Sequence, residues 1–229
     1  MRVSREHINA AAQAVHRYAA EALGRSRDAA TCAAVSRRVA TTIDGEFAAA
    51  AAARAAIACA PGCTFCCHLR VGVLPHEAVA LWRHLRTSLP PDEAAAVERR
   101  VVENARRIDG MTAAEHRAAN IPCALLRDGR CCAYEVRPAA CAAYHSLSRE
   151  RCERSFNQPR DAGTPKNGRP ALLTLQAFGD AMIAAARAGA EDAGLASPEA
   201  ELHQSLRARL EDPRAIPSLT EGDPCPKSC

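Results

Sequence analysis

The stretch Cys59-Ala-Pro-Gly-Cys63-Thr-Phe-Cys66-Cys67-His68 concentrates four cysteines in one short loop. A second block, residues 121–155, carries the further cysteines Cys123, Cys131, Cys132, Cys141 and Cys152. Thiolates at such short spacings suit a soft cation, because a tight turn can aim several sulfurs at one point. The two blocks therefore predict a metal-binding centre.

Composition predicts helices around this centre. Aromatic residues make up 3% of the chain and hydrophobic residues 48%, with alanine dominant. Small side chains of this kind favour close-packed helices over sheets. We expect a mainly α fold, in which a helical bundle flanks an irregular cysteine-rich metal-binding centre.

The apolar spacing places the individual helices. Two N-terminal helices are predicted, the second capped by Ser26, followed by an extended piece at 70–74 and a helix over 76–87. Pro91 starts another helix, and Thr112-Ala-Ala-Glu115 is a capping box. Beyond an irregular segment, 121–155, the last two helices carry the stripes Leu175, Phe178, Met182, Ala186 and Leu202, Leu206, Leu210. Ser197-Pro198 is predicted to open the last one.

These elements divide the chain into four segments of one compact domain. N-terminal helices occupy 1–57, the cysteine-rich metal-binding core 58–158 and the C-terminal helices 171–212, with a flexible tail over 213–229. In the segment 121–155 we expect the bound metal to substitute for a hydrophobic core.

Charge and the N-terminal sequence exclude several classes of partner. The net charge is +4, and no basic run is interleaved with aromatic residues, so nucleic-acid binding is not expected. Met-Arg-Val-Ser-Arg-Glu-His carries charges where a signal peptide has an apolar stretch. We therefore expect a cytoplasmic protein that neither is exported nor spans a membrane, and whose cysteines are ligands rather than disulfides.

The first loop contains the spacing of the radical-SAM signature, Cys59-x-x-x-Cys63-x-x-Cys66, with Phe65 before the third cysteine. Radical-SAM enzymes are built from repeated strand-helix units, whereas this loop follows an alanine-rich helix and no such repeat comes after it. The chain also lacks a Gly-Gly dipeptide that would bind the methionine amine. The context therefore disfavours that superfamily.

The wider pattern is more specific. Gly62-Cys63-Thr-Phe-Cys66-Cys67 is followed by Ile121-Pro122-Cys123 and by Gly129-Arg-Cys131-Cys-Ala-Tyr134-Glu-Val-Arg137-Pro138-Ala-Ala-Cys141. Over residues 58 to 155 this resembles the YkgJ-type cysteine-cluster family, also described as a CxxCxxCC zinc- or iron-chelating domain. The cysteine region of the flagellin lysine-N-methylase is distantly similar.

The resemblance implies a set of metal ligands. Cys63, Cys66, Cys67, Cys123, Cys131 and Cys141 fall on the family's cysteine positions, and Cys59 and Cys152 match cysteines found in part of it. Cys132 is additional. Ala142 stands where the family usually has an arginine, which removes a cation that could offset thiolate charge.

Four other residues are candidates to support the cofactor. His68 and His145 lie next to the cysteines, where each can replace a thiolate or donate a hydrogen bond to one. Arg137 and Tyr134 are expected to brace the second block by hydrogen bonds, with Pro138 starting the turn that places Cys141. Asp128-Gly129 is interpreted as a turn rather than a catalytic element.

Six to eight ligands exceed the four of a single structural zinc ion, which predicts a multinuclear or paired site. An iron-sulfur cluster, [4Fe-4S], or iron ions are favoured over zinc, although cysteine can bind all of them.

The leading hypothesis is a metal-binding protein for electron transfer, metal handling or sensing, with a redox or client protein as partner. The alternatives are a cluster-dependent, methylase-like or S-adenosylmethionine-dependent enzyme and a structural zinc module.

Overall fold

Alanine-rich helices form most of the protein. The computed structural model describes residues 3–53, 56–159 and 171–212. In these ranges the helices are α1 (Arg5–Arg25), α2 (Ala29–Ala52), α3 (Pro75–Thr87), α4 (Pro91–Ile108), α5 (Ala113–Ala118), α6 (Ala139–Ala143), α7 (Arg149–Asn157), α8 (Leu173–Asp192) and α9 (Leu202–Glu211). The expected mainly α fold is confirmed.

Four short strands accompany the helices: β1 (Gly72–Val73), β2 (Leu126–Arg127), β3 (Arg130–Cys131) and β4 (Ala200–Glu201). They form two separate antiparallel pairs, β1 with β4 and β2 with β3. None of the described helices is long and apolar enough to cross a lipid bilayer.

Local caps set most helix boundaries. Thr112 accepts from the N–H of Glu115, and the Glu115 carboxylate accepts from the N–H of Thr112, which confirms the predicted capping box. The cap predicted for α2 is wrong by two residues. Asp28 accepts from the N–H of Thr31 at 2.7 Å, while Ser26 ends α1 and donates its hydroxyl to Asp28. A carboxylate satisfies the free N–H groups and also interacts favourably with the helix dipole.

One part of the core lies between α1, α2, α6 and α8. Its buried cluster includes Val15, Val39, Ile43, Phe178 and Met182. Gly189 lets α8 approach α1 closely, since a Cβ atom there would lie 2.5 Å from the carbonyl oxygen of His16. The predicted apolar stripes of these helices are therefore packing surfaces.

Another part of the core reaches into the second cysteine block. Side chains of α3, α4 and α9 pack with Ala124, Leu125, Ala133 and Val136, all of which are at most 1% exposed. The expectation that metal substitutes for a core in this segment is therefore wrong: small apolar residues between the cysteines supply one. Helix α7, in the same segment, was not expected.

The last helix begins later than predicted. Ser197-Pro198 does not open it, because Val73 and Gly72 pair with Ala200 and Glu201 and keep the chain extended. Glu201 then caps α9 by accepting from the N–H groups of His203 and Gln204. The tail, 213–229, and most of the polar linker, 160–170, lie outside the described residues.

Candidate metal centre

Backbone hydrogen bonds join the first cysteine loop to the second block at two points. The N–H of Ala58 donates to the carbonyl of Ser146 at 2.8 Å, and the N–H of Cys123 donates to the carbonyl of Cys67 at 2.7 Å. The N–H of Ser146 also donates to the Cys59 sulfur at 3.3 Å. Such N–H to sulfur bonds stabilise thiolates at metal sites. Blocks far apart in sequence are thus held side by side.

A tight hairpin positions Cys131. Strands β2 and β3 pair Leu126 with Cys131, and Asp128 and Gly129 form the two-residue loop with φ angles of 46° and 75°. Positive φ at both loop positions is the type I′ geometry that Asp-Gly favours. The predicted turn role of Asp128 is confirmed, and the turn sets the register in which Cys131 pairs with Leu126.

Helix α6 positions Cys141. Pro138 precedes its first turn, as expected, and the N–H of Ala139 donates to Oε1 of the buried Glu77 at 2.7 Å. The second oxygen of Glu77 accepts from the N–H of Leu74 at 2.8 Å. Burial raises the pKa of this carboxyl, although both hydrogen bonds oppose the rise. Glu77 was not recognised in the sequence.

Arg137 braces the segment between Cys131 and Cys141. Its guanidinium donates to the carbonyl of Tyr134 at 3.0 Å, lies 3.9 Å above the Tyr134 ring, and forms an ion pair with Asp44 of α2. Arg137 is buried, whereas the Tyr134 ring is exposed. The charge of Arg137 also lowers the pKa of Cys131 against the dominant effect of burial. Arg137 thus places a positive charge near the thiols, which the alanine at position 142 cannot do.

The thiols fall into two neighbourhoods that meet at Cys66. Cys59 interacts electrostatically with Cys66, Cys63 and Cys152. Cys141 interacts with Cys123, Cys131 and Cys66, and Cys131 interacts with Cys132 and with Cys66. Seven of the eight predicted ligands are therefore near another one. The eighth, Cys67, contributes the carbonyl that receives the N–H of Cys123.

Burial favours the protonated form of four of these thiols, Cys59, Cys123, Cys131 and Cys141. It raises the pKa of Cys123 to about 12 and that of Cys131 to about 11, and neighbouring thiols add to the rise. The pKa of Cys141 is raised well above its ordinary value for the same reasons. Cys59 is an exposed residue, but partial desolvation of its sulfur still raises the pKa of the thiol, against the hydrogen bond from Ser146. Loss of these protons requires a cation beside the sulfur.

The thiols are neighbours without being arranged as a ligand set. Among the described residues, no group of three or more histidine, cysteine or acidic side chains is close enough to hold a metal ion. The donor chemistry nevertheless fits one: thiols that form no disulfide lie in two adjoining blocks, one of them already accepts a backbone N–H, and a cation lies nearby. Ligation therefore requires the thiols to move closer together.

The two candidate histidines differ in availability. Nδ1 of His68 lies 3.1 Å from the carbonyl of Thr64, so it carries the proton and leaves Nε2 as a lone pair. His145 is buried, and its Nε2 accepts from the N–H of Leu172 at 3.0 Å while Nδ1 lies 3.3 Å from the carbonyl of Ala143. His68 is therefore suited to bind metal, and His145 braces the turn after Cys141.

A buried polar network beneath Cys123 was missed in the sequence. Nε2 of His203 accepts from the N–H of Ala124 at 3.1 Å, so its Nδ1 carries the proton and donates to Glu201 at 2.9 Å. Asn104 lies 3.3 Å from the same Nε2 and donates to the carbonyl of Pro122 at 2.7 Å. The network fixes the backbone on both sides of Cys123. Its members come from α4, β4 and α9, and no short motif connects them.

Two surface grooves lie away from the thiols. One runs along α4 beside Leu210, and the other lies between the end of α4 and α5. Neither is lined by a cysteine.

No protein-family model, curated protein or solved structure matches the chain. The resemblance of the cysteine spacing to that of the YkgJ-type cysteine-cluster family therefore stays a prediction.

Proposed function

We propose that this protein binds a thiophilic metal through its clustered cysteines, as an iron-sulfur centre or as iron or zinc ions, for electron transfer, metal handling or sensing. The observation that carries the proposal is the direct contact between the two cysteine blocks: the N–H of Cys123 donates to the carbonyl of Cys67 at 2.7 Å, and the N–H of Ser146 donates to the Cys59 sulfur at 3.3 Å. Thiols from distant parts of the chain have converged at one place.

The proposed ligands are Cys59, Cys63, Cys66, Cys67, Cys123, Cys131, Cys141 and Cys152, with His68 as an additional donor. The raised pKa values of Cys59, Cys123, Cys131 and Cys141 favour the neutral thiols, and a metal cation reverses that preference by binding the thiolates and releasing their protons to solvent. Arg137 offsets part of the resulting negative charge near Cys131. Bound metal would supply either an electron-accepting centre or a cation for transfer.

The raised thiol pKa values weigh against the enzyme alternative in which a cysteine acts as a nucleophile. Reactive cysteines have a lowered pKa, because the thiolate is the attacking species. The pKa values of Cys59, Cys123, Cys131, Cys132 and Cys141 are all raised. The two grooves at α4 and α5 also lie apart from the cysteines.

The hydrophobic packing of the second block weighs against a purely structural zinc clamp. Classical structural zinc sites hold segments that have almost no core of their own. Here Leu125 and Val136 are buried in the main core on either side of Cys131. The second block therefore does not depend on bound metal alone for its fold, and we assign the metal a function beyond structural support.

The test is anaerobic purification followed by a visible absorption spectrum and elemental analysis for iron, zinc, copper and acid-labile sulfide. Brown protein with iron and sulfide in matching amounts supports a cluster, and colourless protein with stoichiometric zinc supports bound zinc. Metal-free protein that takes up none of these ions on reconstitution overturns the proposal.

Two variants make the test specific. Cys131→Ser removes a central thiol and should lose most of the metal. Cys32→Ala is the matched control, because Cys32 is buried in α2 within a different apolar cluster. Its metal content should equal that of the wild type.

A further inference from the structure

Helix α9 directs an arginine into the protein core. Its buried residues include Leu202, Ser205, Leu206 and Arg209, which recur at helical spacing, so Arg209 lies on the face that packs against the rest of the fold. Arg209 is 1% exposed. None of its three side-chain nitrogens, Nε, Nη1 and Nη2, has a hydrogen-bond partner among the described residues. A positive charge with five N–H donors is therefore enclosed without an acceptor.

Nearby carboxylates do not neutralise Arg209. Glu211, two residues further along α9, pairs instead with Arg207 at 3.7 Å. The other buried arginine in the described part of the chain, Arg137, pairs with Asp44 and also donates to a backbone carbonyl. A buried charge without an acceptor is costly, because it has lost its water without gaining a partner. Arg209 is therefore the arginine for which an anion from outside the chain is the missing partner.

The guanidinium of Arg209 lies over the ring of Trp82 in α3, with its central carbon 4.7 Å from the ring centroid. The aromatic face offsets part of the charge, as does the position of Arg209 in the last turn of α9, but neither supplies a hydrogen-bond acceptor. The indole N–H of Trp82 is buried and unpartnered as well. The ring packs against two apolar clusters, one that includes Leu206 and one that includes Val79. Two unpartnered donor groups thus share apolar surroundings, where the attraction for an anion is strong.

We propose that Arg209, together with the indole N–H of Trp82, binds a small oxyanion of the phosphate or carboxylate type between α3 and α9. The planar guanidinium can donate two parallel hydrogen bonds to the oxygens of such an ion, which the ammonium group of lysine cannot do. Burial of Arg209 limits the ligand to a small ion. Neither the groove along α4 nor the groove beside α5 includes either residue. The site uses no cysteine, so it is a function in addition to metal binding.

The end of α9 gives the ion a route to the site. Arg209 is in the last turn of the helix, which ends at Glu211. Terminal turns open at a lower free-energy cost than the core does, so the guanidinium becomes accessible without unfolding of the domain. Binding is reversible and involves no covalent step. Because the oxyanion binds the folded protein, it should also stabilise the fold.

The experiment uses Trp82 itself, the only tryptophan of the chain, whose fluorescence reports on this site. The full-length protein is titrated with sodium phosphate, and separately with sodium formate, at a constant ionic strength set with sodium chloride. We expect a saturable change in tryptophan emission with at least one of the two oxyanions. Arg209→Met removes the donors and should abolish the change. Arg209→Lys should weaken binding at least about tenfold, because lysine lacks the planar fork.

Arg207→Met is the matched control on the same helix and should respond as the wild type does. Thermal unfolding is the second readout: the oxyanion should raise the Tm of the wild type and of Arg207→Met by more than it raises that of Arg209→Met. Circular dichroism confirms that the variants are folded. Arg209→Met is expected to fold, because loss of an unpartnered charge leaves no other group without its partner.

Three results would overturn the inference. The first is wild-type emission that changes no more with phosphate or formate than with chloride. The second is a saturable response that persists in Arg209→Met, and the third is an affinity of Arg209→Lys equal to that of the wild type. None of these results bears on metal binding by the cysteines, which elemental analysis tests separately.

Discussion

The carboxylate of Glu77 accepts a hydrogen bond from the backbone N–H of Ala139, with 2.7 Å between Oε1 and the nitrogen. Because its other oxygen accepts from the N–H of Leu74, one buried side chain joins the start of α3 to the start of α6. Cys141 lies two residues beyond Ala139. The position of this thiol therefore depends on a residue from a different part of the sequence.

Replacement of Glu77 should destabilise the protein and weaken metal binding together. Glu77→Ala leaves two backbone N–H groups without their acceptors, and we expect a loss of about 2–4 kcal/mol in the free energy of unfolding. Urea denaturation measures the loss, and elemental analysis measures the retained metal. Glu103→Ala is the control, since Glu103 is exposed on α4. Equal stability of the two variants would contradict the role assigned to Glu77.

The network around His203 should hold Cys123 in place. His203→Ala removes the acceptor for the N–H of Ala124 and the donor to Glu201. We therefore expect the free energy of unfolding to fall by about 2–4 kcal/mol. Amide hydrogen exchange at Ala124 should accelerate in parallel. Gln204→Ala, at the exposed neighbouring position, should change neither quantity. Unchanged exchange at Ala124 in the His203 variant would refute the assignment.

His76 should make the protein less stable as pH falls. Burial lowers the pKa of this imidazole from 6.5 to about 4, and neither ring nitrogen has a hydrogen-bond partner among the described residues. As pH falls below 6.5 the unfolded chain binds a proton that the folded protein does not, so stability declines until about pH 4, by about 3 kcal/mol in total.

His76→Leu should remove that part of the pH dependence. Urea denaturation at pH 7, 5.5 and 4.5 provides the comparison, with His16→Leu as the control, because His16 is only half-buried and is hydrogen-bonded to Asp192. If the free energy of unfolding of both variants changes with pH as steeply as that of the wild type, protonation of a group other than His76 must cause the pH dependence.

Arg137 should contribute more to stability than an exposed arginine does. Arg137→Gln breaks a partly buried ion pair with Asp44 and removes the hydrogen bond to the Tyr134 carbonyl. We expect the free energy of unfolding to fall by about 1–3 kcal/mol. Arg154→Gln is the matched control, because its pair with Glu150 is exposed and should contribute less than about 0.5 kcal/mol. Thermal and urea unfolding of both variants measure the difference; similar losses would contradict the bracing role.

Elements decided by neighbouring residues could be predicted from the sequence. The apolar stripes of α1 and α8, the start of α4 at Pro91 and the capping box at Thr112 all depend on contacts within a few residues. The Asp128-Gly129 turn belongs to the same class, since positive φ at two successive positions is a local requirement. The cysteine spacing likewise indicated which thiols to examine.

Other features depend on residues that only folding brings together. Pairing with β1 delays the start of α9, and Ala124 and Val136 give the second cysteine block a core that its irregular pattern did not indicate. Glu77 and His203 carry no motif, because each acts on backbone groups far away in the chain. The sequence by itself determined the helices and the supply of thiols through short-range periodicity and spacing, whereas only the tertiary structure decided which thiols are neighbours, because that depends on how distant helices pack.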